Sequence, residues 1–218
     1  EVPSLLSFIS IFFYCTEYFF VYNWSFVSCN PNITLNDIQN NPDLPWNWCS
    51  VSCNPNLTLN FVKRGIDKDW DWKGISENSG ITLKDIQNNP EFPWKWKYIS
   101  RNPNLTMDFV RKNIDKDWNW HWVSENSGIT LKDIQNNPEL RWEYETISRN
   151  PNLTMDFVKE NIDKDWDWKY ISGNPGITIK DIQDNSDKDW VRDGISINPN
   201  LTMEFIEENM DKIDFRKK

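Results

Sequence analysis

Apolar side chains recur along this chain at a step of 24 residues. A Trp-x-Trp pair is followed three positions later by an aliphatic residue, as in Trp70, Trp72 and Ile75. A serine keeps the same step through Ser28, Ser52, Ser76, Ser100, Ser124, Ser148, Ser172 and Ser196. Eight copies without insertion or deletion indicate a stack of identical small units, because repeats of this length are single supersecondary units that bury their apolar face against a neighbour.

Each unit also contains a threonine that we expect to cap a helix. These are Thr34, Thr58, Thr82, Thr106, Thr130, Thr154, Thr178 and Thr202. In half of the units an aspartate follows three residues later, as in Thr82 and Asp85, which is the spacing of a capping box. Three of the other units place an acid one position earlier, at Asp108, Asp156 and Glu204, where it still favours the helix dipole. Met107, Val110 and Ile114 then predict one apolar helix face.

A second helix is predicted to begin shortly afterwards and to contain both tryptophans. Its start is Asn-Pro in one type of unit, as at Asn89 and Pro90, and an aspartate in the other, as at Asp115. Two residues at i and i+2 point about 200° apart on a helix, so this helix would lie between two neighbours. The tryptophans expected to build the core are Trp70, Trp72, Trp94, Trp96, Trp118, Trp120, Trp166 and Trp168.

The expected fold is all-α, an α-solenoid of eight stacked 24-residue helical hairpins. The two unit types alternate, so the full period is 48 residues, and residues 81–91 recur unchanged at 129–139. Short repeats also form β-solenoids, but the chain lacks a period-2 alternation, and its caps and prolines occupy helix positions. Neither predicted helix exceeds about 10 residues, so stability must come from stacking.

The chain divides into three parts. Residues 1–22 are apolar with few charges, and we interpret them as a degenerate repeat that caps the stack. Membrane insertion is the alternative for this segment, although its apolar stretch is short for a span and contains Glu17. Residues 23–210 form the repeat array, and residues 211–218 form a charged tail.

The composition of the chain indicates what builds the core and argues against one class of partner. Fourteen tryptophans among 218 residues indicate a core built largely from indoles, since this side chain is rarely left exposed so often. The net charge is −9 and no basic stripe runs along the chain, which argues against a nucleic-acid partner.

The sequence predicts no metal site and no cofactor. The cysteines Cys15, Cys29, Cys49 and Cys53 lack the spacing of a zinc site and are expected to be free thiols of an intracellular protein. A Cys29–Cys53 disulfide is disfavoured. Stacked helices lie about 8–10 Å apart, whereas a disulfide needs Cα atoms within about 7 Å of each other. Asp67, Asp69 and Asp71 resemble the start of a calcium loop, but tryptophan stands where that loop needs glycine.

No catalytic residue is predicted. His121 is the single histidine, and the serines belong to the repeat itself. The Asn-x-Thr sequences would be glycosylation sites in a secreted protein. Here they are explained by the repeat, in which the asparagine lies in a turn and the threonine caps a helix. An enzyme would need at least one unit broken for chemistry, and no unit is broken.

One position escapes the uniformity of the repeat, and we call its residues the variable ridge. They are Ser50, Gly74, Tyr98, Trp122, Thr146, Tyr170 and Gly194. Because packed interiors tolerate little change in volume, these residues are expected to face solvent and to line a recognition surface. With the residue before each aromatic position, the candidate binding residues are Lys97, Tyr98, His121, Trp122, Lys169 and Tyr170. Simple drift on a solvated face is the alternative.

The repeat pattern of residues 148–154, followed by Trp166 and Trp168, resembles Trp-rich tandem repeats in proteins of giant DNA viruses of amoebae. The resemblance covers about residues 22–210 and brings no activity, catalytic residue or cofactor with it. It implies a viral origin, with a place in the virion or in the host cytoplasm. Tyr144 and Arg192 stand where the pattern has its second tryptophan, and looser packing is expected there.

These observations favour a non-enzymatic scaffold that binds another protein, with a structural spacer or minor virion component as the alternative. The sequence does not identify the partner. A membrane partner is not favoured, and self-assembly through the repeat ends is compatible with the pattern.

Overall fold

The computed structural model describes residues 22–209 of the chain. Within that range there are sixteen helices and no strand, which confirms an all-α helical repeat solenoid. Tyr22 apart, the segment predicted to cap the stack lies outside the described residues, and so does the charged tail. Each unit contributes two short helices, which we call the A helix and the B helix.

The A helix of each unit begins at the second tryptophan position. The eight A helices are α1 (Trp24–Cys29), α3 (Trp48–Val51), α5 (Trp72–Glu77), α7 (Trp96–Ile99), α9 (Trp120–Glu125), α11 (Tyr144–Ile147), α13 (Trp168–Gly173) and α15 (Arg192–Ile197). They pack closely in pairs, α1 on α3, α5 on α7, α9 on α11 and α13 on α15, which reproduces the 48-residue period of the sequence.

The B helix of each unit begins directly after the repeated threonine. The eight B helices are α2 (Leu35–Asn40), α4 (Leu59–Arg64), α6 (Leu83–Asn88), α8 (Met107–Lys112), α10 (Leu131–Asn136), α12 (Met155–Glu160), α14 (Ile179–Asp184) and α16 (Met203–Asn209). The Thr82 hydroxyl accepts a hydrogen bond from the Asp85 amide, and the Asp85 carboxylate accepts one from the Thr82 amide, so the predicted capping box is present. In the alternate units the threonine caps alone, as Thr106 does for the Phe109 amide.

The predicted start of the second helix is wrong. Asn89 and Pro90 lead into a turn, as does the segment from Asp115, and the A helix begins only at the second tryptophan. Its N-cap is the residue between the two tryptophans, for example Asn119, whose side chain accepts from the Trp122 amide. The two indoles therefore do not share a helix. Ile114 also lies beyond the end of α8 and is half exposed, so it does not continue the face of Met107 and Val110.

The first tryptophan of each pair closes the end of the preceding B helix. The Trp118 indole N–H donates to the Asn113 carbonyl at 2.8 Å, and Asn113 is the C-cap residue of α8. The same bond recurs at every described first tryptophan, from Trp46 to Trp190. Trp118 is buried, with 7% of its surface exposed, whereas Trp120 is only half-buried and packs against the core.

The repeated serines join consecutive units. The Ser124 hydroxyl accepts a hydrogen bond from the Glu143 amide of the next unit at 3.1 Å. Equivalent bonds connect all seven described junctions, from Ser28 to Ser172. Because the serines in these bonds are fully buried, each bond gives a buried hydroxyl oxygen a partner in the next unit.

The repeated asparagines make a second set of junctions. The Asn150 side-chain amide lies 3.0 to 3.1 Å from the carbonyl oxygens of Ser124, Asn126 and Ile129 in the preceding unit. Its own oxygen accepts from the Asn152 amide. In the alternate units the same group reaches two carbonyls, as Asn126 reaches those of Ser100 and Asn102. The buried asparagines therefore form a ladder along the stack.

The apolar core runs alongside this ladder in two rows of fully buried aliphatic residues. The residues of one row lie within the A helices, and those of the other stand immediately before the repeated threonines. The rows consist of Val51, Ile75, Ile99, Val123, Ile147 and Ile171, and of Leu57, Ile81, Leu105, Ile129, Leu153 and Ile177. Indoles cover the core through edge contacts that recur at each step, such as Trp96 to Trp118 at 5.4 Å between ring centroids. Tyr144 keeps this edge contact with Trp166 at 5.2 Å between ring centroids.

Gly128→Ala is expected to destabilise the stack by about 2 kcal/mol, as overpacking does. A Cβ at Gly128 would lie 2.0 Å from the Leu105 carbonyl oxygen, a backbone atom that cannot move aside easily. Gly65→Ala is the matched control, because there the nearest atom to a Cβ belongs to the flexible Lys68 side chain, at 3.3 Å. Urea denaturation should show a loss for the first change and none for the second. Equal effects would contradict the close approach of units at Gly128.

Thr106→Ala is expected to lower the free energy of unfolding by about 1 kcal/mol, because the cap of α8 is lost. Thr106→Ser keeps the hydroxyl that accepts from the Phe109 amide and should lose much less. Chemical denaturation of the two variants beside the wild type measures this difference. If both changes had the same effect, packing of the methyl group and not the cap would stabilise the helix.

Candidate functional site

The variable ridge runs along the A helices, but its residues are not uniformly exposed. Tyr98, Trp122 and Tyr170 are half-buried, whereas Gly74 and Thr146 are buried. Gly194 is buried as well, so solvent exposure is wrong for these three small residues. At Gly194 a Cβ would lie 2.4 Å from the Lys169 carbonyl oxygen, which explains why no larger residue fits.

The size of each of three ridge side chains matches the size of a contacting side chain in the preceding unit. Trp122 lies over Arg101, with 4.6 Å from the guanidinium carbon to the ring centroid. Tyr170 lies over Arg149 in the same way at 3.7 Å. Forty-eight residues before Trp122, Gly74 lies against Cys53, whose sulfur would be 2.9 Å from a Cβ added at Gly74. Large pairs and a small pair thus occupy equivalent junctions 48 residues apart.

The aromatic members of the ridge collect basic side chains around them. The Trp122 ring lies 5.5 Å from that of Tyr98, and the Lys97 ammonium lies 5.7 Å from the Trp122 centroid. The Lys73 ammonium approaches the Tyr98 ring at 5.8 Å. We call the following set the aromatic–basic patch: Lys97, Tyr98, Arg101, Trp122, Arg149 and Tyr170. Cations over aromatic faces are held in place by the ring quadrupole, which orders these long side chains.

Each arginine of the patch also faces a glutamate. Arg101 lies 3.7 Å from Glu77, and Arg149 lies 3.8 Å from Glu125. Each contact is an ion pair with a single carboxylate, and a guanidinium carries five N–H donors, so further donors of both arginines remain for a ligand. Burial raises the pKa of Glu77 above its ordinary value, the Arg101 charge opposing this shift in part.

A shallow cavity of about 280 Å³ lies over this part of the ridge. Arg101, Trp122, Glu125 and Arg149 line it together with the 126–127 turn and Pro103. The side chain of Arg101 is 50% exposed and that of Arg149 is 39% exposed. The cavity therefore presents one indole and two partly exposed arginine side chains to solvent.

The remaining predicted ridge residues lie outside this cavity. His121 contacts Glu143 of the next unit at 3.2 Å through Nδ1. Lys169 lines a different and more acidic cavity of about 490 Å³ that includes Glu145 and Asp167. The structure thus brings Tyr98 and Trp122 together, and it separates Lys169 from them.

Grooves of another kind recur at a step of 48 residues. One groove of about 460 Å³ is lined by Phe92, Trp96 and Phe109, with Lys112 and Lys116 also lining it. Its counterparts measure about 520 Å³ and about 540 Å³. Their floors consist of the indoles and phenyl rings that build the stack, so these grooves follow from the repeat itself.

Sequence reasoning missed the two arginines of the patch. Arg101 and Arg149 occupy the repeat position that carries Cys53 in the preceding 48-residue period. Where this position is arginine, the ridge residue that it contacts is aromatic, and where it is Cys53, the ridge residue is Gly74. That coupled change at a step of 48 residues is the signal that could have identified them.

The described residues offer no metal centre. Between residues 22 and 209 no group of three or more histidine, cysteine, aspartate or glutamate side chains is placed to hold an ion. Cys29, Cys49 and Cys53 are free thiols, and burial raises the pKa of Cys53.

Comparison of the chain with known protein families, with curated proteins and with solved structures gave no match. In the part of the chain that the structure describes, none of the helices has the length and apolar character needed to cross a membrane. The fold defines the class as a helical repeat protein, whose described surface includes the aromatic–basic patch.

Proposed function

We propose that this chain is a non-enzymatic scaffold that binds another protein through the aromatic–basic patch. The carrying observation is that the patch combines half-buried aromatic rings with partly exposed arginines that lie over them. Aromatic residues and arginine are the types enriched where protein partners bind most strongly. The resemblance to giant-virus repeats extends the proposal to a virion or to the cytoplasm of an infected host.

The test compares two triple variants in the native context of the protein. The first is Tyr98→Ser, Trp122→Ser and Tyr170→Ser. The second, a matched control, replaces three half-exposed isoleucines outside the ridge, namely Ile66, Ile114 and Ile162, with serine. We expect the first variant to lose a co-purifying chain that the wild type and the control retain, while circular dichroism shows all three folded. Loss of the same chain from both variants would contradict the proposal.

A structural spacer is the second candidate, and one observation favours it. The serine and asparagine bonds recur with nearly constant length at every described junction, which gives the stack a regular geometry. A spacer would tolerate the patch variant and respond to length. Duplicating residues 81–128 lengthens the array by two units and keeps the junction sequence, so an assembly defect from this change alone would favour the spacer.

A further inference from the structure

We propose that the partner of the aromatic–basic patch is an extended acidic segment of another protein, with carboxylates that bind Arg101 and Arg149. This inference rests on the proposed function and specifies the chemistry of the partner.

The position of the guanidinium groups carries the first step. Each arginine holds its guanidinium carbon over a ring, at 4.6 Å from the Trp122 centroid and 3.7 Å from the Tyr170 centroid. A stacked guanidinium keeps its N–H edge in the plane of the group, where it can bind a carboxylate through two parallel hydrogen bonds. Glu77 and Glu125 each form one ion pair with these arginines, and one carboxylate cannot occupy all five donors of a guanidinium.

Local charge carries the second step. The chain as a whole has a net charge of −9, which should repel acidic partners. Around the patch the balance is reversed. Two carboxylates, Glu77 and Glu125, pair with its arginines, whereas the basic side chains are Lys73, Lys95, Lys97, Arg101 and Arg149. An acidic partner is therefore directed to this part of the surface and away from the acidic cavity around Glu145 and Asp167.

The shape of the cavity carries the third step. Arg101 and Arg149 belong to units on either side of α9, and both line the cavity floored by Trp122. Reaching both requires a ligand that extends along the stack. In an extended chain alternate side chains point the same way at a spacing of about 7 Å. A segment with acidic residues at alternate positions can therefore contact both arginines while its backbone crosses the indole.

The experiment uses a fluorescent ten-residue peptide of alternating glutamate and serine, with a glutamine–serine peptide as the neutral control. Binding to the whole chain is measured by fluorescence anisotropy. We expect the acidic peptide to bind at least about tenfold more tightly than the neutral one, as charge-assisted hydrogen bonds predict. The double variant Arg101→Gln, Arg149→Gln should weaken binding by about tenfold or more.

The matched control is Arg111→Gln with Arg141→Gln, which removes the same charge from exposed residues outside the patch. We expect this control to bind within about twofold of the wild type, because distant exposed charges are screened at physiological salt. Equal weakening by both double variants, equal binding of both peptides, or no binding to the wild type would each overturn the inference. Tighter binding of a ten-nucleotide oligodeoxythymidine would overturn it too, since the patch would then prefer nucleic acid.

The outcome separates this inference from the function on which it rests. If the acidic peptide fails while the serine variant of Tyr98, Trp122 and Tyr170 still loses its native partner, the patch binds a protein of different chemistry. If that variant keeps its partner while the peptide binds through the arginines, the patch binds acidic segments but is not the surface used in the native context.

Discussion

Trp118→Ala is expected to destabilise the array by about 4 kcal/mol and to divide its unfolding into two transitions. Truncation of a large buried aromatic residue typically has an effect of this size. Trp118 is buried, contacts Trp96 and Phe109 edge to face, and donates its indole N–H to the Asn113 carbonyl. Because units contact mainly their neighbours, damage in a central unit uncouples the two halves of the stack.

The matched control is Trp190→Ala near the end of the described array. Trp190 makes the same indole bond, to the Asn185 carbonyl at 2.7 Å, and the same edge contact with Trp168. Its loss should fray one end and leave a single main transition. Urea denaturation followed by circular dichroism distinguishes the two cases. A single unchanged transition for Trp118→Ala would mean that the indole does not couple the units.

Asn150→Ala is expected to lower the free energy of unfolding by about 3 kcal/mol or more. The change removes the amide that joins three backbone carbonyls of the preceding unit and leaves buried polar groups without a partner, which is the costly direction of hydrogen-bond loss. Asn150→Asp should be at least as damaging at pH 7, since a carboxylate oxygen would then face three carbonyl oxygens.

Asn152→Ala is the control for this position, two residues further along the same turn. The Asn152 amide also bonds two carbonyls of the preceding unit, those of Ser127 and Ile129, but its side chain is exposed and water can replace it. We expect a loss below about 1 kcal/mol. Similar losses for Asn150→Ala and Asn152→Ala, measured by urea denaturation, would show that the buried ladder does not hold the units together.

The register of the stack and the B helices could be predicted from the sequence, because both depend on local chemistry. A threonine with an aspartate three residues later specifies a helix start whatever surrounds it, and Thr82 and Asp85 form that box. The A helices were misplaced because Asp115 and Pro90 suit a turn as well as a helix start. The actual N-cap, Asn119, lies inside the Trp-x-Trp motif. The indole of Trp118, just before it, bonds the Asn113 carbonyl at the end of the preceding helix, so Trp118 stays outside the A helix.

The junctions and the ridge could not be predicted in the same way. The period of Ser124 and Asn150 is visible in the sequence, but the backbone groups that they reach belong to another unit and depend on how the units stack. Variable size at the ridge suggested exposure, yet Gly74 is buried, and its size matches Cys53 across the junction. A change in volume can thus be compensated by a neighbour, which sequence position alone does not reveal.

The most direct test of the proposed binding surface is site-specific photo-crosslinking in the cells that make the protein. A photo-reactive phenylalanine analogue replaces Trp122 in one variant and Ile114, which is exposed and lies outside the ridge, in another. The account predicts a covalent adduct with one defined protein from position 122 and none from position 114. Adducts with the same protein from position 114, together with none from position 122, would contradict it.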